Sequence, residues 1–349
     1  MNRRVSPVGI GRGFAVIPSH GGALVGWFSA PMAPSVQTRA LNIDGTPRST
    51  IVSHGSFPSL IFNGSLSLSA GPSCSFGLLA AGDGDQTCRF AALDGDGSPM
   101  GAPVALRGYT QCDDIGRSPA GFSFLASAGG SLDLVAVTTG ASTPLGPLAQ
   151  PRPPSFLGHR LVLPDESFLI PTASATDGGE AALVIEHYDA SGARLAEGAT
   201  LGPASQLPVL LARADDSVLA SFRCPSLAPP CLYVQPLTLE GSAVAPASVL
   251  ALAGNPAPDG ASSLDSSPSG DVIITWPQNR LFLQELDPRG VPRGPATSID
   301  LYAQFGAQLE QVRVLVGDDG DHALLLFSGD PRDGDGPGVY ALPLACSAH

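Results

Sequence analysis

The sequence predicts an all-β fold made of about seven similar units with some four strands each. Three observations support this prediction: a turn ending in glycine recurs along the chain, an apolar strand-like run precedes each turn region, and no segment has a clear amphipathic helical pattern. The 42 glycines and 34 prolines would interrupt most helices of normal length. The best helical candidate, Tyr302–Val316, contains Gly306 and ends in β-branched residues. Strand-built units of about 50 residues are typical of a β-propeller.

The recurring turn has a polar residue at its first position in most copies and glycine at its fourth. A short polar side chain can hydrogen-bond the backbone ahead of it, and glycine takes a positive φ without steric cost. An apolar residue precedes each of the clear copies. These are Asn42–Gly45, Asp94–Gly97, Asp189–Gly192, Thr238–Gly241 and Asp287–Gly290, and a degenerate sixth copy is Val137–Gly140.

Two strands are predicted before each turn. The first is an apolar run, found at Ala23–Phe28, Phe76–Ala81, Phe122–Ala126, Phe168–Thr172, Val218–Phe222, Val272–Trp276 and Ala323–Phe327. Four of these runs end in a large aromatic residue (Trp27, Phe222, Trp276 and Phe327), which we interpret as core packing. The second strand is found at Val36–Leu41, Cys88–Leu93, Leu183–Tyr188, Leu232–Leu237, Leu281–Leu286 and Val339–Leu344.

A polar residue recurs at one position of the second strand. It is Arg39, Glu186, Gln235 or Gln284, with Ala91 as the exception. Such a side chain either forms a hydrogen bond that fixes the strand register or contacts a ligand in a central tunnel. The sequence favours the structural hydrogen bond.

After each turn come a looser return strand and a further short apolar strand, which together give the content of one propeller blade. Seven blades fill the chain, and we therefore predict a single β-propeller domain over residues 1–349. The proline-rich Pro144–Pro154 is interpreted as a loop, not as a linker. We expect the N-terminal stretch Val5–Ile10 to pair with Val339–Leu344, so that the seventh blade is completed and an exposed sheet edge is covered.

In these features the chain resembles the bacterial secreted β-propeller repeat proteins. Units of that family run from an apolar strand with an aromatic residue to a second strand, an Asp-x-x-Gly turn and a Pro- or Gly-rich return. The corresponding segments here are Val272–Trp276, Phe282–Leu286, Asp287–Gly290 and Pro292–Gly294. The resemblance implies a rigid disc with loops at both faces, often exported, and it carries over no catalytic residue.

Composition excludes several kinds of chemistry. All 18 basic residues are arginine, which removes a lysine nucleophile, a Schiff base and a Walker lysine. The formal net charge of −13 argues against nucleic acid and anionic membrane surfaces as partners. No apolar stretch approaches the roughly 18 residues needed to span a bilayer. The charge also favours a protein that remains monomeric.

Cysteine usage indicates export. Cys224 and Cys231 flank a proline-rich loop and are candidates for a disulfide, and Cys88 occupies a similar place in its own blade with Cys74 as a candidate partner. A disulfide implies an oxidising compartment, and we expect an extracellular or cell-envelope protein. Against this, Met1–Arg4 is not followed by the apolar core of a signal peptide.

No strong catalytic motif is present, and the six histidines are scattered singly. Several acidic-glycine loops occur: Gly82–Asp85, Asp94–Gly97, Gly317–Asp321 and Asp330–Gly336. Alternating aspartates can supply oxygen ligands to Ca²⁺, but none of these loops has the complete calcium-loop spacing, and Asp-Gly is a common turn dipeptide. We therefore favour turns, with Asp330, Asp333 and Asp335 as the best candidates for calcium ligands and no other cofactor expected.

Three functions remain open. The sequence favours a non-catalytic, exported binding or scaffold protein that presents loops to a protein or glycan partner. The alternative is a propeller enzyme, a glycan lyase or hydrolase, whose carboxylates and histidines meet at the mouth of the tunnel. The third is a spacer in the cell envelope. The aromatic content of 6% weakens both glycan interpretations, because exposed aromatic rings usually grip sugars.

Overall fold

A computed structural model of the chain describes residues 3–6, 14–29, 35–56, 65–81, 87–109, 111–128, 131–138, 141–148, 156–157, 159–175, 181–203, 209–213, 216–223, 231–251, 262–267, 269–277, 280–301, 309–329 and 338–345. Within these residues the strands form seven antiparallel sheets in which consecutive strands are neighbours. The fold is a seven-bladed β-propeller, which confirms the predicted fold class.

Each sheet forms one blade. Blade 1 contains β2 (Phe14–Ser19), β3 (Gly22–Phe28), β4 (Ser35–Asn42) and β5 (Val52–Ser56); blade 2 contains β6 (Ser65–Ala70), β7 (Phe76–Ala81), β8 (Thr87–Leu93) and β9 (Val104–Arg107). Blade 3 contains β10 (Gln111–Ser118), β11 (Gly121–Ala128), β12 (Ser131–Val137) and β13 (Ser142–Pro147). In blade 4 the first strand is in two pieces, β14 (Phe156–Leu157) and β15 (Leu161–Val162), which both pair with β16 (Phe168–Ala175); β17 (Ala181–Tyr188) and β18 (Arg194–Pro203) follow.

The remaining blades repeat this order. Blade 5 contains β19 (Val209–Ala212), β20 (Val218–Arg223), β21 (Cys231–Leu237) and β22 (Ser248–Ala251). Blade 6 contains β23 (Ser263–Ser266), β24 (Val272–Pro277), β25 (Leu281–Leu286) and β26 (Thr297–Ile299). Blade 7 contains β27 (Leu309–Val316), β28 (His322–Gly329) and β29 (Gly338–Ala345), with β1 (Arg3–Arg4) as its outer strand.

The chain divides into two compact units. The first comprises Met1–Leu148, Ala303–Gln311 and Gly317–His349, and it contains blades 1 to 3 and most of blade 7. The second comprises Ala149–Tyr302 and Val312–Val316, and it contains blades 4 to 6. Within the described residues, no helix is long and apolar enough to cross a lipid bilayer.

Blade 7 is built from both ends of the sequence. Arg4 of β1 lies opposite Tyr340 of β29, and the Val5 amide continues the pairing by donating to the Val339 carbonyl at 2.9 Å. The Val339 amide in turn donates to Ser6 Oγ at 3.0 Å. The predicted pairing of the terminal strands is therefore confirmed, but it begins at Arg3 rather than at Val5, and residues 7–10 lie outside the described part of the chain.

The recurring turn has one geometry in five blades. In each, the glycine amide donates to the carbonyl of the first turn residue, as Gly97 does to Asp94 at 3.0 Å, and the glycine has a positive φ. The amide of the first residue then donates to the carbonyl one position after the glycine, as Asp94 does to Ser98 at 2.9 Å. A type I turn followed by a left-handed residue is a common three-residue hairpin loop. Beyond the turn the register shifts: in blade 6 the Leu286–Pro292 bridge beside the turn is followed by the Leu283–Thr297 pair of the β25–β26 ladder.

The first residue of the turn fixes this geometry through its side chain. Asp287 Oδ1 accepts hydrogen bonds from the amides of Arg289 at 2.8 Å and Val291 at 2.9 Å, and Asp94 and Asp189 do the same in their blades. Thr238 replaces the carboxylate with a hydroxyl that accepts from the Glu240 and Ser242 amides at 3.2 and 3.3 Å. The polar first position predicted from the sequence is therefore a structural cap.

The turn glycine also lies against the preceding blade. A Cβ atom on Gly290 would be 2.8 Å from Val234 Cγ1, and one on Gly241 would be 2.6 Å from Ile185 Cγ2. A Cβ atom on Gly97 would be 2.8 Å from Thr38 Oγ1. Since carbon atoms do not approach so closely without a shift, the glycines permit both the turn and the close packing of successive blades.

The polar residue of the third strand ties that strand to the return segment of its own blade. Gln284 Nε2 donates to the Gly294 carbonyl at 3.2 Å, and Gln235 Nε2 donates to the Ala245 carbonyl. Arg39 Nε donates to the Ser49 carbonyl at 3.2 Å, and in blade 4 the tie is an ion pair of 2.6 Å between Glu186 and Arg194. The structural interpretation of these four positions is confirmed.

Apolar clusters lie between successive blades of each unit. In the second unit, Leu219, Val234 and Ile274 belong to one cluster between blades 5 and 6. The four predicted aromatic residues (Trp27, Phe222, Trp276 and Phe327) are buried, as expected for core residues. Trp276 stacks on its cross-strand partner Phe282 with ring centroids 5.6 Å apart, which is a stabilising arrangement for a strand pair.

Candidate functional site

The predicted calcium ligands Asp330, Asp333 and Asp335 lie outside the described residues, and their role remains a prediction. Two other acidic-glycine loops are described, and both are hairpin turns. Asp319 in the second of them accepts from the Asp321 and His322 amides through Oδ1 and contacts His322 Nδ1 through Oδ2 at 2.7 Å. In the described part of the chain, no group of three or more His, Cys, Asp and Glu side chains has the geometry to hold a metal ion.

The cysteines are paired differently from one of the predictions. Cys88 on β8 forms a disulfide with Cys112 on β10, with 6.1 Å between their Cα atoms, whereas Cys74 is free and exposed. The proposed Cys74–Cys88 pairing is therefore wrong. The physical reason is that the buried face of β8 packs against the first strand of the next blade, while Cys74 lies in the short turn before β7.

Only one of the two cysteines of the second predicted disulfide lies within the described residues. Cys231 is disulfide-bonded. Its pairing with Cys224 stays a prediction, because Cys224 lies outside the described residues.

A hydroxyl, an imidazole and a carboxylate come together in blade 4, and we call Asp165, Ser167 and His187 the Ser167 cluster. Ser167 Oγ donates to Asp165 Oδ1 at 2.6 Å, and His187 Nε2 lies 3.1 Å from the same Oγ. The Ser167 and His187 side chains are buried, while Asp165 is exposed in the turn before β16. The strand pairing brings them together, because Phe168 lies opposite Tyr188 in the β16–β17 ladder.

The order of groups in the Ser167 cluster differs from that of a hydrolase. In a Ser-His-Asp triad the imidazole lies between the hydroxyl and the carboxylate, so it can take the hydroxyl proton. Here the hydroxyl lies in the middle. The hydrogen bond from Ser167 lowers the pKa of Asp165, which is therefore an ionised acceptor, and His187 must donate its Nε2 proton to Ser167. Within the part of the chain that the structure describes, His187 Nδ1 is buried and has no hydrogen-bond partner to orient it as a base.

Charged and phenolic groups surround the cluster. Glu186 on β17 forms its ion pair with Arg194 on β18, and burial followed by the nearby Glu186 charge raises the pKa of Tyr188 to about 12. In blade 5 the Thr238 hydroxyl lowers the pKa of the exposed Glu240. This arrangement holds a neutral phenol and an ion pair next to the cluster.

A second buried histidine lies at the junction of blades 1 and 2. His54 Nε2 is 2.7 Å from Thr38 Oγ1, and Thr38 Oγ1 donates to the Gly97 carbonyl of the blade 2 turn at 3.0 Å. Since the Thr38 proton goes to Gly97, His54 must donate through Nε2, and its Nδ1 is an acceptor with no hydrogen-bond partner among the described residues. A small cleft adjoins the ring, lined by His54, Arg89 and apolar side chains of the two blades.

Sequence reasoning treated the histidines as single residues and therefore missed both contacts. The pairing of β16 with β17 could have placed Ser167 near His187, because Ser167 immediately precedes β16 and His187 lies opposite Leu169 at the start of that strand. The Thr38–His54 contact was harder to find, since the β4–β5 pairing shifts register between Ser35 and Gln37.

No protein-family model matches the chain, and no curated protein matches it in sequence. Solved structures do match. A protein of unknown function from Dyadobacter fermentans is 12% identical with a TM-score of 0.56 and covers 99% of both chains. Hydrazine synthase from Kuenenia stuttgartiensis is 12% identical with a TM-score of 0.58 over 98% of this chain and 96% of that one. The β-propeller domain of the Trilobed protease from Pyrococcus furiosus is 8% identical with a TM-score of 0.55 over 98% and 99% of the two chains. At these identities the similarity shows the fold alone.

Proposed function

We propose that the protein is an exported, non-catalytic binding or scaffold propeller, a single domain that presents loops to a protein or glycan partner. The observation that supports this most strongly is the order of groups in the Ser167 cluster. Its hydroxyl donates to a carboxylate of lowered pKa and accepts from the imidazole, so the groups hold the turn in place instead of activating a nucleophile.

Other polar side chains have comparable structural roles. Gln235, Gln284 and Arg39 tie third strands to return segments, and the turn aspartates cap their own turns. Side chains used in this way stiffen a frame. A stiff frame favours a role in positioning variable segments for recognition.

We assign the binding role to the connections at the strand ends opposite the recurring turns. The turns joining third and fourth strands share one geometry in five blades, whereas the other connections differ in length and composition. Residues 278–280 join two strands of blade 6, residues 330–337 join two strands of blade 7, and residues 252–262 join blades 5 and 6. Variation of connections on a constant frame is the usual pattern of a recognition surface.

Export is supported by the buried disulfide. Cys88 and Cys112 are each 1% exposed, so their bond is a structural one that forms and persists in an oxidising compartment. An extracellular or cell-envelope location follows from this proposal.

Binding is tested with the full chain on a glycan array and on a microarray of purified bacterial envelope and secreted proteins. Two variants then test which ends of the strands carry the binding site. In one, residues 330–337 are replaced by a Gly-Ser segment of equal length. In the control, Asp94 of a recurring turn is changed to Asn. The expected result is a reproducible ligand whose affinity falls in the first variant and not in the second.

The enzyme alternative is tested on the same preparations. Turnover of a glycan by the wild-type protein that disappears in both Ser167→Ala and Asp165→Asn would contradict the proposal and favour a glycan lyase or hydrolase. Binding with no turnover in any variant supports the non-catalytic function.

A further inference from the structure

The junction between blades 1 and 2 contains a buried ionisable group, His54, and none of the described residues that line the cleft beside it carries a negative charge. We propose that His54 makes this junction sensitive to acid, so that protonation of its imidazole loosens the contact between blades 1 and 2 while blades 4 to 6 keep their structure. This inference is independent of the proposed function and concerns a conformational response of the frame itself.

The neutral imidazole is an integral part of the junction. It is 9% exposed, and its Nε2 proton goes to Thr38 Oγ1, whose own proton goes to the Gly97 carbonyl on the neighbouring blade. The contact is tight, because a Cβ atom on Gly97 would be 2.8 Å from Thr38 Oγ1. The chain His54–Thr38–Gly97 therefore joins the outer part of blade 1 to the recurring turn of blade 2.

Protonation would add a charge that the surroundings do not satisfy. A second proton must go to Nδ1, which has no acceptor among the described residues, and apart from His54 and Arg89 the adjoining cleft is lined by apolar groups such as Val36, Leu78 and Phe90. A buried imidazolium without an acceptor is costly, and opening the cleft to water relieves that cost.

The charged groups around the ring do not compensate for the added charge. Arg89 on β8 is the ionisable group among the other residues that line the cleft, and its charge is of the same sign as an imidazolium. The turn that contains Gly97 also contains two carboxylates. Asp94 Oδ1 accepts from turn amides, and Asp96 pairs with Arg48 at 3.3 Å.

The direction of the pH dependence follows from the burial. Burial lowers the pKa of His54 from 6.5 to about 4. Between these values the unfolded or opened chain binds the proton more readily, so this contribution to stability is complete above about pH 6.5 and is lost as the pH falls towards 4. For these two pKa values, linkage gives a decrease of about 70-fold in the folding equilibrium constant between pH 7.5 and 4.5.

The first test compares urea unfolding of the wild-type protein and His54→Gln from pH 7.5 to 4.5. Glutamine keeps an N–H donor for Thr38 and cannot take up a proton, so acid effects elsewhere cancel in the comparison. The wild-type folding constant should fall by about 70-fold more than that of the variant. Parallel profiles for the two proteins would overturn the proposal.

The second test locates the response and does not require a folded His54 variant. Hydrogen exchange of the wild-type protein is measured by mass spectrometry at pH 7.5 and 5.0 and corrected for intrinsic exchange rates. Protection should fall in peptides covering Val52–Ser56 and Asp94–Met100 and remain in those covering Val218–Arg223 and Leu281–Leu286. His322→Gln, a change at an exposed histidine, should keep the same response. A loss of protection that is uniform along the chain, or no loss of protection, would contradict a response confined to this junction.

Discussion

At the scale of single residues, the turn glycines combine a constraint on the backbone with a constraint on packing. Gly290 and Gly294 allow the two constraints to be distinguished. Both lie in blade 6 and have nearly the same backbone conformation, with φ values of +78° and +77°. Gly290 packs against Val234 and Leu219 of blade 5, whereas nothing lies within 4 Å of a Cβ atom on Gly294. The pair therefore distinguishes the cost of a left-handed residue from the cost of blade contact.

We predict that Gly290→Ala destabilises the protein more than Gly294→Ala does. Alanine in a left-handed conformation should cost about 1 kcal/mol at either position. At position 290 the displacement of Val234 should add about 1–3 kcal/mol. Urea unfolding measures the free energy of unfolding of both variants. Equal decreases would show that the contact between blades 5 and 6 adapts to the added methyl group at no energetic cost.

Asp265 is a second residue whose environment has a measurable consequence. Its Oδ2 accepts from the Val316 amide at 2.6 Å, and burial raises the pKa of the carboxyl from 3.8 to about 6. The folded state therefore binds the proton more readily than the unfolded chain, and the stability that this group contributes falls as the pH rises through that range.

We predict that Asp265→Asn removes this loss, because an amide carbonyl can accept from Val316 and carries no charge. Relative to the wild type, the variant should gain up to about 3 kcal/mol in unfolding free energy between pH 3.5 and pH 8. Urea titrations at several pH values give the difference. The two profiles would run parallel if the buried carboxyl were already solvated in the folded state.

At the scale of the element, polar side chains hold neighbouring strands at defined positions. First strands of successive blades are joined in this way: Ser67 Oγ accepts from the Ile115 amide at 3.0 Å, and Ser263 Oγ accepts from the Val314 amide at 3.2 Å. Within a blade, Gln284 joins the third strand to the return segment before β26. Short fourth strands of this kind depend on such side-chain bonds, because they have few ladder bonds of their own.

We predict that Gln284→Ala lowers the unfolding free energy by about 1–2 kcal/mol, since it removes a buried amide and its bond to Gly294. Protection of the Thr297–Ile299 strand against hydrogen exchange should fall first. Glu285→Ala is the matched control, because this neighbouring side chain is exposed and should change stability by less than about 0.5 kcal/mol. Equal effects of the two changes would contradict the role of the cross-strand amide.

At the scale of the whole molecule, the Cys88–Cys112 disulfide covalently links blade 2 to blade 3. Its sequence separation is 24, and a loop of this size should contribute about 3 kcal/mol in the chain-entropy description. We predict that the double change Cys88→Ser and Cys112→Ser lowers the melting temperature by a few degrees. Cys74→Ser is the control and should leave it unchanged, because that thiol is exposed and unpaired. A large effect of Cys74→Ser would contradict the assigned pairing.

The local features of the molecule could be predicted from the sequence, whereas contacts between blades could not. The turn at Asp287–Gly290 and the tie made by Gln284 follow from residue type and spacing within one unit. The partner of Cys88 lies in the next blade, and spacing along the chain does not indicate which face of β8 meets that blade. The Ser167 cluster required the pairing of β16 with β17, and the contact of Thr38 with His54 required knowledge of an irregular register.

The sheet formed by β1 and β29 has a consequence for how the protein folds. The other six sheets are made from strands that are close in the sequence and can form as the chain emerges from the ribosome. Blade 7 cannot be completed until β29 has been synthesised and paired with β1, which lies far from it in the sequence. Its formation should therefore be the slow, late step of folding, and an incomplete chain would carry an unpaired strand edge that a chaperone has to shield.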